Sequence, residues 1–232
     1  MTVQAYTPAI VSGILTVPSV MAWLWQTDRQ VEAAQVDVGG GIRLSTYVTG
    51  PSSHGWWATV ILIIVIFMIF LMAVFSYLFL LGVHPQFWGA PAPASWLVPI
   101  IAGYAAAAGL ALLGRHLLAR EKSTVWSPPT QILLAVALLL IAWTMDFYSW
   151  DLHGIDPEES AQQAMVMAMI TLNGLLAMLI LMMSLYLAAR VSRGIMTRPR
   201  NTTFDVVVLF ILYSAAQGIV SAALTRLVPG AG

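Results

Sequence analysis

The chain has 232 residues, 59% of them hydrophobic and only 9% charged, with a mean hydropathy of +0.84. A soluble domain carries about a quarter of its residues charged, so this composition indicates a polytopic membrane protein. It holds no cysteine, which excludes disulfides, thiol nucleophiles, iron–sulfur ligation and thiolate metal sites, and its net charge of zero implies no nucleic-acid partner.

Residues 7–26, TPAIVSGILTVPSVMAWLWQ, are uncharged and just long enough to span a bilayer, with Pro18 removing one backbone donor and kinking the helix. No basic stretch precedes them, and Thr27-Asp28-Arg29 follows in place of a small-x-small cleavage site. An uncleaved helix is therefore expected rather than a signal peptide, with an interfacial or re-entrant segment as the other reading. This makes residues 1–27 an N-terminal transmembrane helix and 28–56 a polar connector. Within the connector, Gly39-Gly40-Gly41 breaks any helix beside a strand-like patch at 42–48. The glycines lack G-x-G-x-x-G spacing, so an ordered loop is expected and not a phosphate site.

The rest of the chain is organised around residues 49–82, TGPSSHGWWATVILIIVIFMIFLMAVFSYLFLLG. After Trp57 roughly 25 residues pass without a formal charge, enough helix to cross the hydrocarbon. A Gly-Pro turn, His54 and the pair Trp56 and Trp57 mark where this helix meets the headgroup layer. A Pro/Ala/Gly loop over 83–95 leads to further spans at 96–113, 132–150, 161–189 and 204–224, for an expected total of six. In the span 96–113, Ala102 with Ala106 and Ala105 with Gly109 lie four apart, so that face is expected to bury itself against protein.

Nine of the ten basic residues fall in alternate loops: Arg29 and Arg43; Arg115, Arg120 and Lys122; Arg190, Arg193, Arg198 and Arg200. Only Arg226 lies opposite, and the acidic loop Asp151, Asp156, Glu158, Glu159 shares its side. The positive-inside rule puts loops 28–56, 114–130 and 190–203 in the cytoplasm and both termini outside. The Asn201-Thr202-Thr203 sequon is then cytoplasmic and is not read as glycosylated.

Haem or copper would require convergent His or Met ligands at depth. His54, His84, His116 and His153 all sit in loops or at helix ends. Met165, Met167, Met169, Met178, Met182 and Met183 only partly share a face, with no histidine among them. These methionines read as packing or lipid contact, and no metal ligand, cofactor site or catalytic residue is assigned to this chain. Asp146 lies within about a turn of Trp150 and the acidic loop; it either reaches the interface or has a buried polar partner. Asn173 and Gln217 fall near the middles of the last two spans, which a short loop makes antiparallel. Both amides are expected to point inward and either meet each other, flanked by Gly174 and Gly218, which leave room for close backbone contact, or pair with another group such as Thr171, Ser214 or a backbone carbonyl.

The stretch Gly50-Pro51-Ser53-His54-Gly55-Trp56-Trp57, leading to Phe75-Ser76-Tyr77-Phe79-Leu80, resembles subunit III of haem–copper terminal oxidases, most closely the form fused behind subunit I in bacterial I+III chains. The C-terminal run Phe204-Asp205, Leu209-Phe210 and Tyr213-Ser214-Ala215-Ala216-Gln217-Gly218 is similar to that family's last helix, and the N-terminal segment to Trp25 to the extra helix joining the two fused portions. The resemblance spans nearly the whole chain and implies a five-helix subunit III-like bundle over 57–232 plus the N-terminal helix. Ile66 stands where the family carries a mid-helix Glu. Asn173-Gly174-Leu175-Leu176 replaces an H-G-x-H pair, and Ile211-Leu212 an aromatic-His.

The resemblance implies a non-catalytic accessory subunit of the bacterial inner membrane that packs against subunit I, with subunit II in the same complex, and contacts membrane lipids. Haem and copper belong to the partner subunits, and with these titratable groups missing it is the scaffold role that the resemblance carries over. Competing readings are a small transporter or channel, which would need a polar pathway, and a subunit III relative recruited by another membrane complex.

Overall fold

The computed structural model describes residues 35–37, 39–41, 43–45, 54–83, 94–119, 127–193 and 202–227. The expected helix at 7–26, most of the loop at 83–95 and Asn201 of the sequon lie outside them. The chain divides into two compact units, Met1–Val48 and Thr49–Gly232.

In the first unit, β1 (Gln35–Asp37) pairs antiparallel with β2 (Arg43–Ser45), Val36 facing Leu44 across the ladder. The triple glycine is the turn of this hairpin: Gly39, Gly40 and Gly41 have φ of 100°, 66° and 77°, a region closed to most residues with a Cβ. What reads as a helix-breaking loop in the sequence is a hairpin that needs glycine at three successive positions.

The second unit is helical. α1 (His54–Val83), α2 (Leu97–Ala119), α3 (Ser127–Asp151), α4 (Ala161–Ser192) and α5 (Thr202–Leu227) are each long and apolar enough to cross a membrane, and a short 3-10 turn, Ala94–Trp96, leads into α2. Their starts follow local chemistry. Pro128 and Pro129 occupy the first turn of α3, where a missing N–H costs nothing, and the Ser160 side chain caps α4 by accepting from Gln163 N at 3.2 Å. α2 runs past the expected end at 113 through Arg115 and His116 to Ala119, so these two residues are helical and not part of a loop.

α5 packs against all four other helices and is the most deeply buried span; α1, which touches α4 and α5, is the least. Ile61, Phe67, Met68, Met72 and Phe75 of α1 are exposed, while Tyr77 points inward and is fully buried. A helix apolar on every side yet packed on one only is at home in hydrocarbon. The main core joins Ile100, Tyr104 and Ala107 of α2, Val136 and Leu139 of α3, Ile180 of α4, and Phe204 and Ile211 of α5.

The small-residue face of α2 differs from the expectation. Ala105 and Gly109 are exposed, and a Cβ on Gly109 would meet nothing within 4 Å. The close approach is made by Gly103, Ala107, Ala111 and Gly114, three or four apart on another face: a Cβ on Gly103 would come within 2.9 Å of the Ala142 Cβ, and one on Gly114 within 3.2 Å of Gln131 and of the Pro128 carbonyl. Both quartets have helical spacing. The second is the buried one because α3 lies close against it, Ala142 at Gly103 and Gln131 and Pro128 at Gly114.

Candidate functional site

The buried face of α3 runs Ile132, Val136, Leu139, Ala142, Asp146, Ser149, a stripe at intervals of three and four. Asp146 therefore belongs to the core face and not to the interface: it is 1% exposed. The interfacial reading is corrected by its partner. α3 and α5 run in the same direction, which brings the end of α5 beside it, and Arg226 Nη2 donates to Asp146 Oδ1 at 2.7 Å and to Ser149 Oγ at 2.6 Å. Ser149 in turn donates to the Asp146 carbonyl at 2.8 Å, and the guanidinium lies 5.2 Å from the centre of the Trp150 ring, in cation–π range. Both charged side chains are out of solvent, at 0% and 1% exposure, so each would be an uncompensated buried charge without the other.

A second polar contact lies deeper. Gln217 Nε2 of α5 donates to Asn173 Oδ1 of α4 at 2.7 Å, both side chains buried, at the matched depth that antiparallel neighbours require. The flanking glycines serve a different purpose from the expected backbone approach. Trp143 of α3 lies over Gly174, where an added Cβ would come within 2.5 Å of the indole, and its N–H donates to the Ile170 carbonyl at 2.9 Å. Tyr104 of α2 lies over Gly218 just as tightly. Each glycine accommodates an aromatic ring from a third helix.

The remaining predicted residues are scattered. His54 is the first residue of α1, Trp56 is half-buried and Trp57 is 56% exposed, and beside them Thr59 Oγ1 donates to the Gly55 carbonyl at 2.8 Å. At the opposite end of α5 from Arg226, Arg115 and Asp205 form an ion pair at 3.1 Å, but with 59% of the Arg115 side chain exposed it contributes little. Among the six α4 methionines only Met169 is buried, and no group of three or more His, Asp or Glu gathers among the described residues.

Arg226 is the functional residue that sequence reasoning missed. In the sequence it stands only as the lone exception to the basic asymmetry, just past the expected span at 204–224, yet it lies in the last turn of a long apolar helix with Asp146 beside it on a parallel one. The depth matching that pairs Asn173 with Gln217 pairs these two as well. The arrangement ties α2, α3, α4 and α5 together at two depths; it provides structure and buried polarity, not a nucleophile with its base. Compared with known proteins, the chain matches no family model and no curated relative.

Proposed function

We propose that this multi-pass membrane protein is a non-catalytic accessory subunit of a bacterial haem–copper oxygen reductase, resembling subunit III and stabilising a separate subunit I. On this reading the chain lies in the cytoplasmic membrane, residues 7–26 form a sixth span, both termini are outside, and haem and copper reside in the partner subunits. The observation that carries the proposal is where the family-like residues fall. Tyr77 of the first motif and Phe204, Ser214, Ala215, Gln217 and Gly218 of the last are all buried in helix–helix contacts. The likeness in the last helix thus falls mostly on packing residues, while in the first motif Tyr77 packs inward and Trp57, Phe75 and Phe79 stay on the outer face of α1, open to lipid or to a partner subunit, which suits a scaffold. The burial of Arg226 in an ion pair supports the orientation too, because the one basic residue on the far side is neutralised inside the bundle rather than displayed in a loop.

Deletion of the gene in its native host tests the role. The proposal expects oxidase that starts turning over at a near-normal rate and then loses activity faster than the complete complex. Purified enzyme with full haem content and no initial activity would overturn the non-catalytic reading, and an unchanged lifetime would overturn the stabilising one.

A further inference from the structure

The polar cluster around Asp146 and Arg226 is larger than its hydrogen bonds. Asp146 Oδ2, Arg226 Nε, Trp150 Nε1, Tyr104 Oη and Ser221 Oγ are all buried and have no hydrogen-bond partner among the described residues. The contacts around them converge on one seam. Gly103, next to Tyr104, meets Ala142, one turn before Asp146 on α3; the Tyr104 ring lies against Gly218, one turn before Ala222, whose carbonyl accepts from Arg226 Nη1 at 3.4 Å; the Trp150 ring lies beneath the guanidinium; and Ser221 stands one turn beyond Gly218 on the same α5 face. Ser214 and Gln217 continue the same face toward mid-span, where Ser214 Oγ and Gln217 Oε1 are likewise unpartnered among the described residues.

The donor and acceptor balance identifies what fits. Arg226 Nε and Trp150 Nε1 only donate, the Asp146 carboxylate only accepts, and the two hydroxyls do either. The ligand must therefore both donate and accept. The cluster carries one positive and one negative charge, so an anion would face the carboxylate and a cation the guanidinium. We propose that the seam between α2, α3 and α5 is an internal hydration site, where water bridges Tyr104 Oη, Ser221 Oγ, Asp146 Oδ2 and Arg226 Nε. A polar group left dry in hydrocarbon carries a penalty larger than one interhelical hydrogen bond returns, whereas a buried water with two to four polar partners relieves several such groups at once. The seam lies at the end of the bundle: Trp150 is the last buried residue of α3 and Asp151 beside it is exposed.

Radiolytic footprinting of the full chain in lipid nanodiscs tests this. Hydroxyl radicals made from bound water modify adjacent side chains in place and escape scavengers dissolved in the bulk. In oxygen-18 water the site predicts labelled Tyr104, modified severalfold faster than Phe204, an aromatic residue equally buried on the dry core, with labelling retained when a bulk scavenger is added. Ser221→Val should slow Tyr104 modification severalfold and leave Phe204 unchanged; if that variant fails to fold, the wild-type scavenger comparison decides alone. Tyr104 modified as slowly as Phe204, or protected by the scavenger, overturns the proposal.

Discussion

Breaking the Asp146–Arg226 pair from either side should destabilise the bundle far more than removing both charges. The two side chains meet at 2.7 Å with at most 1% exposure, so the discount that makes surface ion pairs nearly worthless does not apply. Removing one partner of such a pair costs about 3–5 kcal/mol, because the survivor remains buried and unpaired. Insertion measurements put a lone charge at the centre of a span at about 2.5–3.5 kcal/mol, and a site near the end of the helix, with water at hand, belongs at the lower end. Arg226→Leu should therefore cost about 3 kcal/mol, roughly a hundredfold in the folding equilibrium. Asp146→Leu should cost less, since Arg226 is one residue from the end of α5 and its long side chain can extend toward the headgroups, whereas Asp146, a full turn inside α3, cannot. The double Asp146→Leu, Arg226→Leu variant leaves no charge behind and should be more stable than Arg226→Leu alone. Unfolding in mixed micelles with increasing SDS, followed by tryptophan fluorescence, reads all three. Single variants within about 0.5 kcal/mol of the parent, the range of ordinary surface changes, would refute the reasoning. So would a double variant whose loss equals the sum of the singles.

The amide pair should behave as a coupled unit: in a double-mutant cycle of Asn173→Leu and Gln217→Leu, the same unfolding assay should give a coupling of about 0.6–2 kcal/mol. Gly218→Ala should destabilise by about 1–3 kcal/mol by forcing the Tyr104 ring aside, while Gly109→Ala, facing open space, should be neutral or stabilise by up to about 1 kcal/mol; comparing their unfolding midpoints checks both. The native chain has no cysteine, so Ala94→Cys should react with an impermeant maleimide in intact cells and Ser123→Cys should not. The reverse pattern would invert the topology.

The five spans were legible because each is a long uncharged run, a signal that needs no knowledge of neighbours. Their ends were less so: α2 continues through Arg115 because a charge at a helix end can lie at the interface, and composition alone does not separate such a residue from a loop. Which face of a helix is buried was the hardest reading. The Ala105 and Gly109 face and the Gly103, Ala107, Ala111, Gly114 face have the same periodicity, and only the shape of α3 opposite, with Ala142 at the crossing, distinguishes them. Residues at matched depth were recoverable when both members were recognised as intramembrane, as with Asn173 and Gln217. For Asp146 the sequence leaves two readings, interfacial or buried with a polar partner, and its partner Arg226 does not show itself because it stands just past the expected end of the last span at 224. The glycines beside the amides were correctly singled out for their lack of a side chain, but the rings that fill the space, Trp143 and Tyr104, come from helices that sequence spacing alone does not bring near.

Affinity purification of the tagged chain from its native host in mild detergent, followed by a reduced-minus-oxidised visible spectrum and identification of the co-purifying chains, tests the functional proposal most directly. The account predicts haem bands in proportion to the chain, together with a larger polytopic partner that carries the haem ligands this chain lacks. A stable, stoichiometric complex free of haem would contradict it and make the chain a subunit of some other membrane assembly.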